Sequence, residues 1–125
     1  MKKVIMTPHA PKPVGPYSQA VLVGQTLYCS GQIAIDPKTN EVLKGSVKEE
    51  AELVMKNIGA VLKESDMSYD NIIKSTIFLI NMGDFATVNE VYGQYFKTDP
   101  PARSTISVKE LPKGVQVEIE VVAYR

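Results

Sequence analysis

Residues 115–124 constrain this chain's fold more than any other stretch. Val115, Val117, Ile119, Val121 and Ala123 alternate with Gln116, Glu118, Glu120, Val122 and Tyr124. A period of two is that of a strand with one apolar and one mixed face. Such a strand needs neighbours in a sheet and an apolar layer over its first face. The rest of the chain offers both. Residues 2–6, 18–24, 27–35, 72–80 and 103–109 have strand composition. Gly24-Gln25 turns between the second and third of these, Asp36-Pro37-Lys38-Thr39-Asn40 follows the third as turn chemistry, and Pro112-Lys113-Gly114 leads into the last strand. Within 27–35, Leu27, Cys29, Ile33 and Ile35 are expected on one face, with Tyr28, Ser30, Gln32 and Ala34 on the other.

The covering layer is helical. Val47, Ala51, Val54, Ile58, Val61 and Leu62 recur at intervals of three, four and one, and Ser46 with Glu49 forms a capping box at the start. A second helix is expected from Asp84 as its N-cap, with Phe85, Val88, Tyr92 and Tyr95 or Phe96 on its apolar side. Pro8, Pro11, Pro13 and Pro16, and later Pro100-Pro101, exclude helix and mark stiff extended passages. The expected order is β-β-β-α-β-α-β-β, an α+β fold with two helices on one face of the sheet, in a single domain over residues 1–125. A chain of 125 residues, 44% hydrophobic and 22% charged, can build one such core unaided. The mixed face of the last strand is then either solvated or covered by another subunit, and the pattern leaves both open.

Composition removes several kinds of function. Fourteen Lys and Arg balance fourteen Asp and Glu, which argues against binding nucleic acid through excess positive charge. One Cys and one His exclude an intrachain disulfide, a multi-thiolate metal site and a His pair. No apolar run has the length of a membrane helix. Lys2-Lys3 precede only Val4-Ile5-Met6 before Pro8, too short for the core of an export signal. A soluble, cytoplasmic protein is the expectation. The dinucleotide, phosphate-loop, zinc-protease and serine-hydrolase motifs are absent. Chemistry falls to carboxylates, hydroxyls, Arg, Lys and backbone groups, or to a bound cofactor.

Each candidate residue has two readings. Arg103, after the stiff Pro100-Pro101-Ala102 entry, suits bidentate capture of a carboxylate, or pairs with a surface acid. Glu118, between Val117 and Ile119, is either an acid–base or water-orienting carboxylate or a solvated cross-strand charge. Glu120 shares its face, and the pattern does not choose between them. Tyr17 is a pocket wall or a packed aromatic. Ser30-Gly31 presents a hydroxyl beside an approachable backbone N–H, or marks a bulge. Asn89 binds a ligand or lies on the helix surface. Cys29, on the Leu27 face, reads as a buried, inert thiol, and His9 as solvated.

Taken together, these segments resemble one family from end to end. Gly15-Pro16-Tyr17-Ser18-Gln19-Ala20, Ser30-Gly31-Gln32-Ile33, Phe85-Ala86-Thr87-Val88-Asn89-Glu90-Val91-Tyr92, Pro101-Ala102-Arg103-Ser104-Thr105, Leu111-Pro112-Lys113-Gly114 and Val117-Glu118-Ile119-Glu120 are similar to motifs of the RidA or YjgF-like family of reactive intermediate imine deaminases. The resemblance implies a chorismate-mutase-like α+β fold with a six-stranded mixed sheet. It also implies a homotrimer whose sheets pack into a central barrel, with a ligand cleft at each subunit interface. Under it, Arg103 clamps the substrate carboxylate and Glu118 orients the attacking water. Tyr17, Ser30, Gly31, Phe85 and Asn89 line the pocket, some from the neighbouring chain. Thr105 stands where many members carry Cys; this excludes a thiol role there, while its backbone can still bind the substrate.

The implied reaction is hydrolysis of 2-iminopropanoate and 2-iminobutanoate to 2-ketoacids and ammonia, with neither metal nor cofactor. It would protect pyridoxal-phosphate enzymes from 2-aminoacrylate damage. The alternatives are a non-catalytic 2-ketoacid-binding or regulatory protein and the translation-inhibiting ribonuclease activity of some relatives, which the charge balance and single His disfavour.

Overall fold

A computed structural model describes all 125 residues. The elements in order are β1 (Lys2–Ile5), β2 (Ala20–Val23), β3 (Thr26–Cys29), β4 (Ile35–Asp36), β5 (Glu41–Val42), α1 (Val47–Glu64), β6 (Ile72–Leu79), α2 (Phe85–Gly93), β7 (Ala102–Ser107) and β8 (Val117–Tyr124). Six strands form a mixed sheet in the order β1-β2-β3-β8-β6-β7. All its neighbours are antiparallel except β6 and β7, which run parallel because α2 carries the chain back between them.

The alternation in β8 has the predicted result. Val115, Val117, Ile119, Val121 and Ala123 are buried, Ile119 completely. Over them lies α1, whose Ala51, Val54, Met55, Ile58, Val61 and Leu62 are buried in the same core. Burial of each Val, Ile or Leu is worth about 1.5–3 kcal/mol. The capping box is formed: Glu49 donates its N–H to Ser46 Oγ at 3.2 Å, and Ser46 donates its N–H to Glu49 Oε1 at 2.9 Å. The Ser46 N–H, and then the Ser46 hydroxyl donating to the same oxygen at 3.2 Å, hold the Glu49 carboxyl below the usual carboxylate range.

Two expectations are corrected. The third strand does not run from 27 to 35. Pairing of Leu27 with Ala123 and Tyr28 with Val122 would, if continued, set Gly31 opposite Ile119, but Gln32 occupies that place. One extra residue has therefore been taken up after Cys29, a bulge that reverses the side-chain phase. Gln32 and Ala34 turn inward, against the face expected for them, while Ile33 becomes only half-buried. The chain then leaves the sheet for a separate β4–β5 hairpin closed by the 36–40 turn. The second correction concerns Asp84, whose side chain caps nothing. A single 3-10 turn, Met82–Asp84, runs directly into α2 and uses Asn81, whose Oδ1 accepts from the Gly83 N–H at 2.8 Å. On α2, Val88, Val91 and Tyr92 face the core, whereas Phe85 remains 38% exposed.

Candidate functional site

The predicted residues gather in two groups, on opposite faces of the sheet. Register decides this. Arg103 lies opposite Ser75 and Thr105 opposite Ile77, both core-facing residues of β6, so both point to the helix side. Glu118 lies opposite Phe78 and Glu120 opposite Thr76, on the open side.

The first group lies where α2 covers the β7 edge. Arg103 donates from Nη1 to Asn89 Oδ1 at 2.7 Å. Its guanidinium stands 5.6 Å from the Phe85 ring centroid and 5.1 Å from that of Tyr92, close enough for both ring faces to attract the cation. Tyr92 is itself fixed by donating its hydroxyl to Ser75 Oγ at 2.8 Å. Burial raises the pKa of that hydroxyl, partly offset by the Ser75 bond and the Arg103 charge. A cleft of about 410 Å³ opens beside the guanidinium, walled by Tyr92, Gly93, Phe96 and Pro100-Pro101. A planar cation held by one side chain and two rings, with donors to spare, is built to receive an anion with paired oxygens.

The second group lies on the open face around a cleft of about 510 Å³, whose walls include Tyr17, Ser30, Gly31, Glu118, Glu120 and Lys113. Its outer wall is the proline-rich arm, and Gln19 holds that arm in place. The buried Gln19 amide accepts from Thr7 N–H at 2.7 Å and donates to the carbonyls of Thr7, Pro11 and Ala10 at 3.0, 2.9 and 3.3 Å. Tyr17 is half exposed, its hydroxyl accepting from Val14 N–H at 3.4 Å. Ser30 commits both its donors to backbone, Oγ to the Ser18 carbonyl at 2.6 Å and N–H to the Gln19 carbonyl at 2.9 Å. The Gly31 N–H has no backbone acceptor. A Cβ on Gly31 would overlap Glu118 Oε2 and lie 2.9 Å from Glu118 Cδ. Glycine is needed at the bulge so that the carboxylate can lie against the backbone. Burial, and then the neighbouring charge of Glu120, raise the Glu118 carboxyl above its ordinary pKa of 4.5. A carboxylate shifted in this direction is a better base near neutral pH.

The candidate residues thus fall into two separate groups: Phe85, Asn89, Arg103 and Thr105 in one, Tyr17, Ser30, Gly31 and Glu118 in the other. Sequence reasoning did not single out Gln19 and Tyr92 as positioning groups. An amide just before a strand carries no signal of its own, and Tyr92 was absorbed into the apolar stripe of its helix. Lys113 was also overlooked; it borders the open cleft from a left-handed backbone, φ 58°, in the Pro112–Gly114 turn. No helix is long and apolar enough to cross a membrane, and no three His, Cys, Asp or Glu side chains are grouped to hold a metal ion.

Residues 7–125 match the family model described as endoribonuclease L-PSP. Human 2-iminobutanoate/2-iminopropanoate deaminase is 49% identical over 98% of this chain and 90% of its own. A structure from the conserved Rid protein family of Yersinia pestis superposes with a TM-score of 0.98 at 46% identity, covering 100% of both chains. Escherichia coli TdcF, crystallised with bound serine, gives a TM-score of 0.94 at 41% identity over 98% of both chains. With a family match across nearly its whole length and relatives this similar, the chain belongs to the endoribonuclease L-PSP family, the RidA or YjgF-like proteins.

Proposed function

We propose that this chain hydrolyses small 2-imino acids, 2-iminopropanoate and 2-iminobutanoate, to 2-ketoacids and ammonia, and so spares pyridoxal-phosphate enzymes damage by 2-aminoacrylate, the enamine tautomer of 2-iminopropanoate. The observation that carries this reading is the division of the site. Arg103 offers a carboxylate clamp on one sheet face and Glu118 a base on the other. Neither half suffices for the reaction, and a second copy of the chain can bring the Glu118 face of one subunit to the Arg103 edge of the next. We infer a homotrimer with one cleft per interface, a closed ring that joins every such pair. The naming of human, bovine and mouse relatives as 2-iminobutanoate/2-iminopropanoate deaminases supports the reading. So does the amino acid bound by the TdcF relative.

In the cleft, Arg103 holds the α-carboxylate and thereby places C2, an orientation effect. Water on Glu118 attacks C2; its oxygen bonds to carbon as the C=N π pair moves to nitrogen, and Glu118 takes the proton. Glu118 returns this proton to the amino nitrogen. The C–N bond then breaks with its electron pair on nitrogen, the hydroxyl oxygen forms the ketone, and the hydroxyl proton leaves to convert ammonia to ammonium. An iminium is already electrophilic, so each tenfold of rate requires only about 1.4 kcal/mol.

The test is ketoacid release from enamine generated by a threonine or serine dehydratase. Arg103→Ala and Glu118→Ala should each lose about 10²–10⁴-fold in rate. Mixed after unfolding and reassembly, the two inactive variants should regain activity in roughly one cleft in four, because each supplies the half the other lacks. No regain would place the working site within one chain and overturn the shared cleft. A second reading, a 2-ketoacid-binding or regulatory protein without turnover, is favoured by one feature: the Arg103 half-site is assembled within a single chain. It predicts Arg103-dependent ketoacid binding with no acceleration by wild type.

A further inference from the structure

Asn57 is a polar side chain in the middle of an apolar helix face. It lies on α1 among Val54, Met55, Ile58 and Val61, all completely buried, and is itself only 1% exposed. Asparagine is a poor helix former, and a buried amide costs free energy unless it is hydrogen-bonded. Its place in the core needs a cause, and its partners supply one. Asn57 Nδ2 donates to the Ile35 carbonyl at 3.0 Å and to the Ile33 carbonyl at 3.4 Å.

Those carbonyls belong to the stretch that has left the sheet. After the bulge, residues 30–35 are tied to β8 by one isolated bridge, where Gln32 and Ile119 exchange N–H···O bonds of 2.8 and 3.1 Å. Ser30, Gly31, Gln32, Ile33 and Ile35 of this stretch wall the open-face cleft, and Gly31 lies against the Glu118 carboxylate. A backbone with so few partners in the sheet takes its position from whatever else grips it. Asn57 grips it from the helix side, whereas the cleft opens on the other.

We propose that Asn57 is a positioning residue for Glu118: it fixes the Ile33–Ile35 backbone, and with it the Gly31 wall against which the carboxylate is seated. This deepens the deaminase reading and rests on its choice of Glu118 as the base. The titratable groups that share the cleft with Glu118 are Glu120, Lys12, Lys113 and Tyr17. None of them lies on α1, so a change at Asn57 reaches the carboxylate by moving the wall.

The experiment compares wild type with Asn57→Leu, which is close in size and has no donor, and with Val54→Ala, which thins the same core and leaves both bonds in place. The Glu118 carboxyl is titrated by carbon-13 NMR, its signal assigned by its loss in Glu118→Gln. Ketoacid release gives kcat, titration calorimetry gives 2-oxobutanoate binding, and denaturant unfolding gives stability. In the Leu variant water reaches the carboxylate and relieves the burial that raises its pKa, which should fall towards 4.5. The kcat should drop at least about tenfold, since a shift of the order of 1 Å in a reacting group costs up to about 10²-fold. Binding of 2-oxobutanoate, which rests with Arg103, should stay at the wild-type level. Val54→Ala should lower the unfolding midpoint and leave the titration, kcat and binding as in wild type.

An unchanged titration or an unchanged kcat in the Leu variant overturns the proposal. So does a titration that moves equally in Val54→Ala, since the cause would then be a softer core. If the Leu variant does not fold, Asn57→Ser, whose hydroxyl is too short to reach both carbonyls, is read in its place by the same criteria. If wild type does not accelerate imine hydrolysis, the deaminase reading fails on its own, and the carboxyl titration still decides the role of Asn57.

Discussion

The two faces of the six-stranded sheet are made by the same strands and reach different ends. On the helix side, β8 presents Val117, Ile119, Val121 and Ala123 to α1, and every one is buried. On the other side, the same strand presents Glu118, Glu120, Val122 and Tyr124, in register with Phe78, Thr76, Lys74 and Thr26 of its neighbours. That side mixes acids with apolar groups left in water: Tyr28 and Tyr124 are each 51% exposed, Val4 52%. A single chain completes one face and leaves the other as a rimmed apolar surface of the kind that another protein surface covers. The helix-covered face holds the molecule together, whereas the open face holds the Glu118 carboxylate and space around it.

The largest effect that sharpens this contrast is on stability. Ile119→Ala should cost about 2–5 kcal/mol by opening a cavity under α1. Val122→Ala, three residues along on the other face, should cost the isolated chain less than about 1 kcal/mol. Denaturant unfolding at low protein concentration compares them, and equal losses would mean that the open face is as well packed as the covered one. Next is Gly31→Ala, whose Cβ takes the space of the Glu118 carboxylate. A displacement of the order of 1 Å in a reacting group costs up to about 10²-fold, so ketoacid release should fall by at least tenfold while the fold persists. Wild-type rates in this variant would show that Glu118 does not work from its observed position.

The smallest effect concerns pH. The Glu118 carboxyl has a raised pKa in the folded chain, so the folded state favours its protonated form. The associated stabilisation is present below the unfolded-state value and is lost as pH rises through the folded one. Glu118→Gln should therefore be more stable than wild type at neutral pH, with the difference closing as pH falls towards 4. Thermal unfolding across pH measures it, and a difference independent of pH would remove burial and Glu120 as the causes.

Much of the covered face was legible because its information is local. The period of β8, the Ser46–Glu49 box and the apolar stripe of α1 each lie within a few residues, and each took its expected form. The bulge at Gly31 was not legible as a reversal of phase, since it shows only in the pairing with β8, where Gln32 rather than Gly31 meets Ile119. Asp84 was read as a cap because the residue type fits, but Asn81 had begun the turn three residues earlier. The candidate residues could be listed, yet their division between two faces could not. Ala-Arg-Ser-Thr-Ile-Ser of β7 has no apolar alternation from which to read a direction, and only its pairing with β6 orients Arg103.

Cys29 is the only thiol in the chain, and burial pushes it up to about 12. Peroxides and disulfides react with thiolates, and at pH 7 only about one part in 10⁵ of such a group is ionised. Neither cleft has a cysteine or methionine in its walls. The two clefts therefore present no sulfur for an oxidant to modify, and the one thiol of the chain is held in its unreactive protonated form.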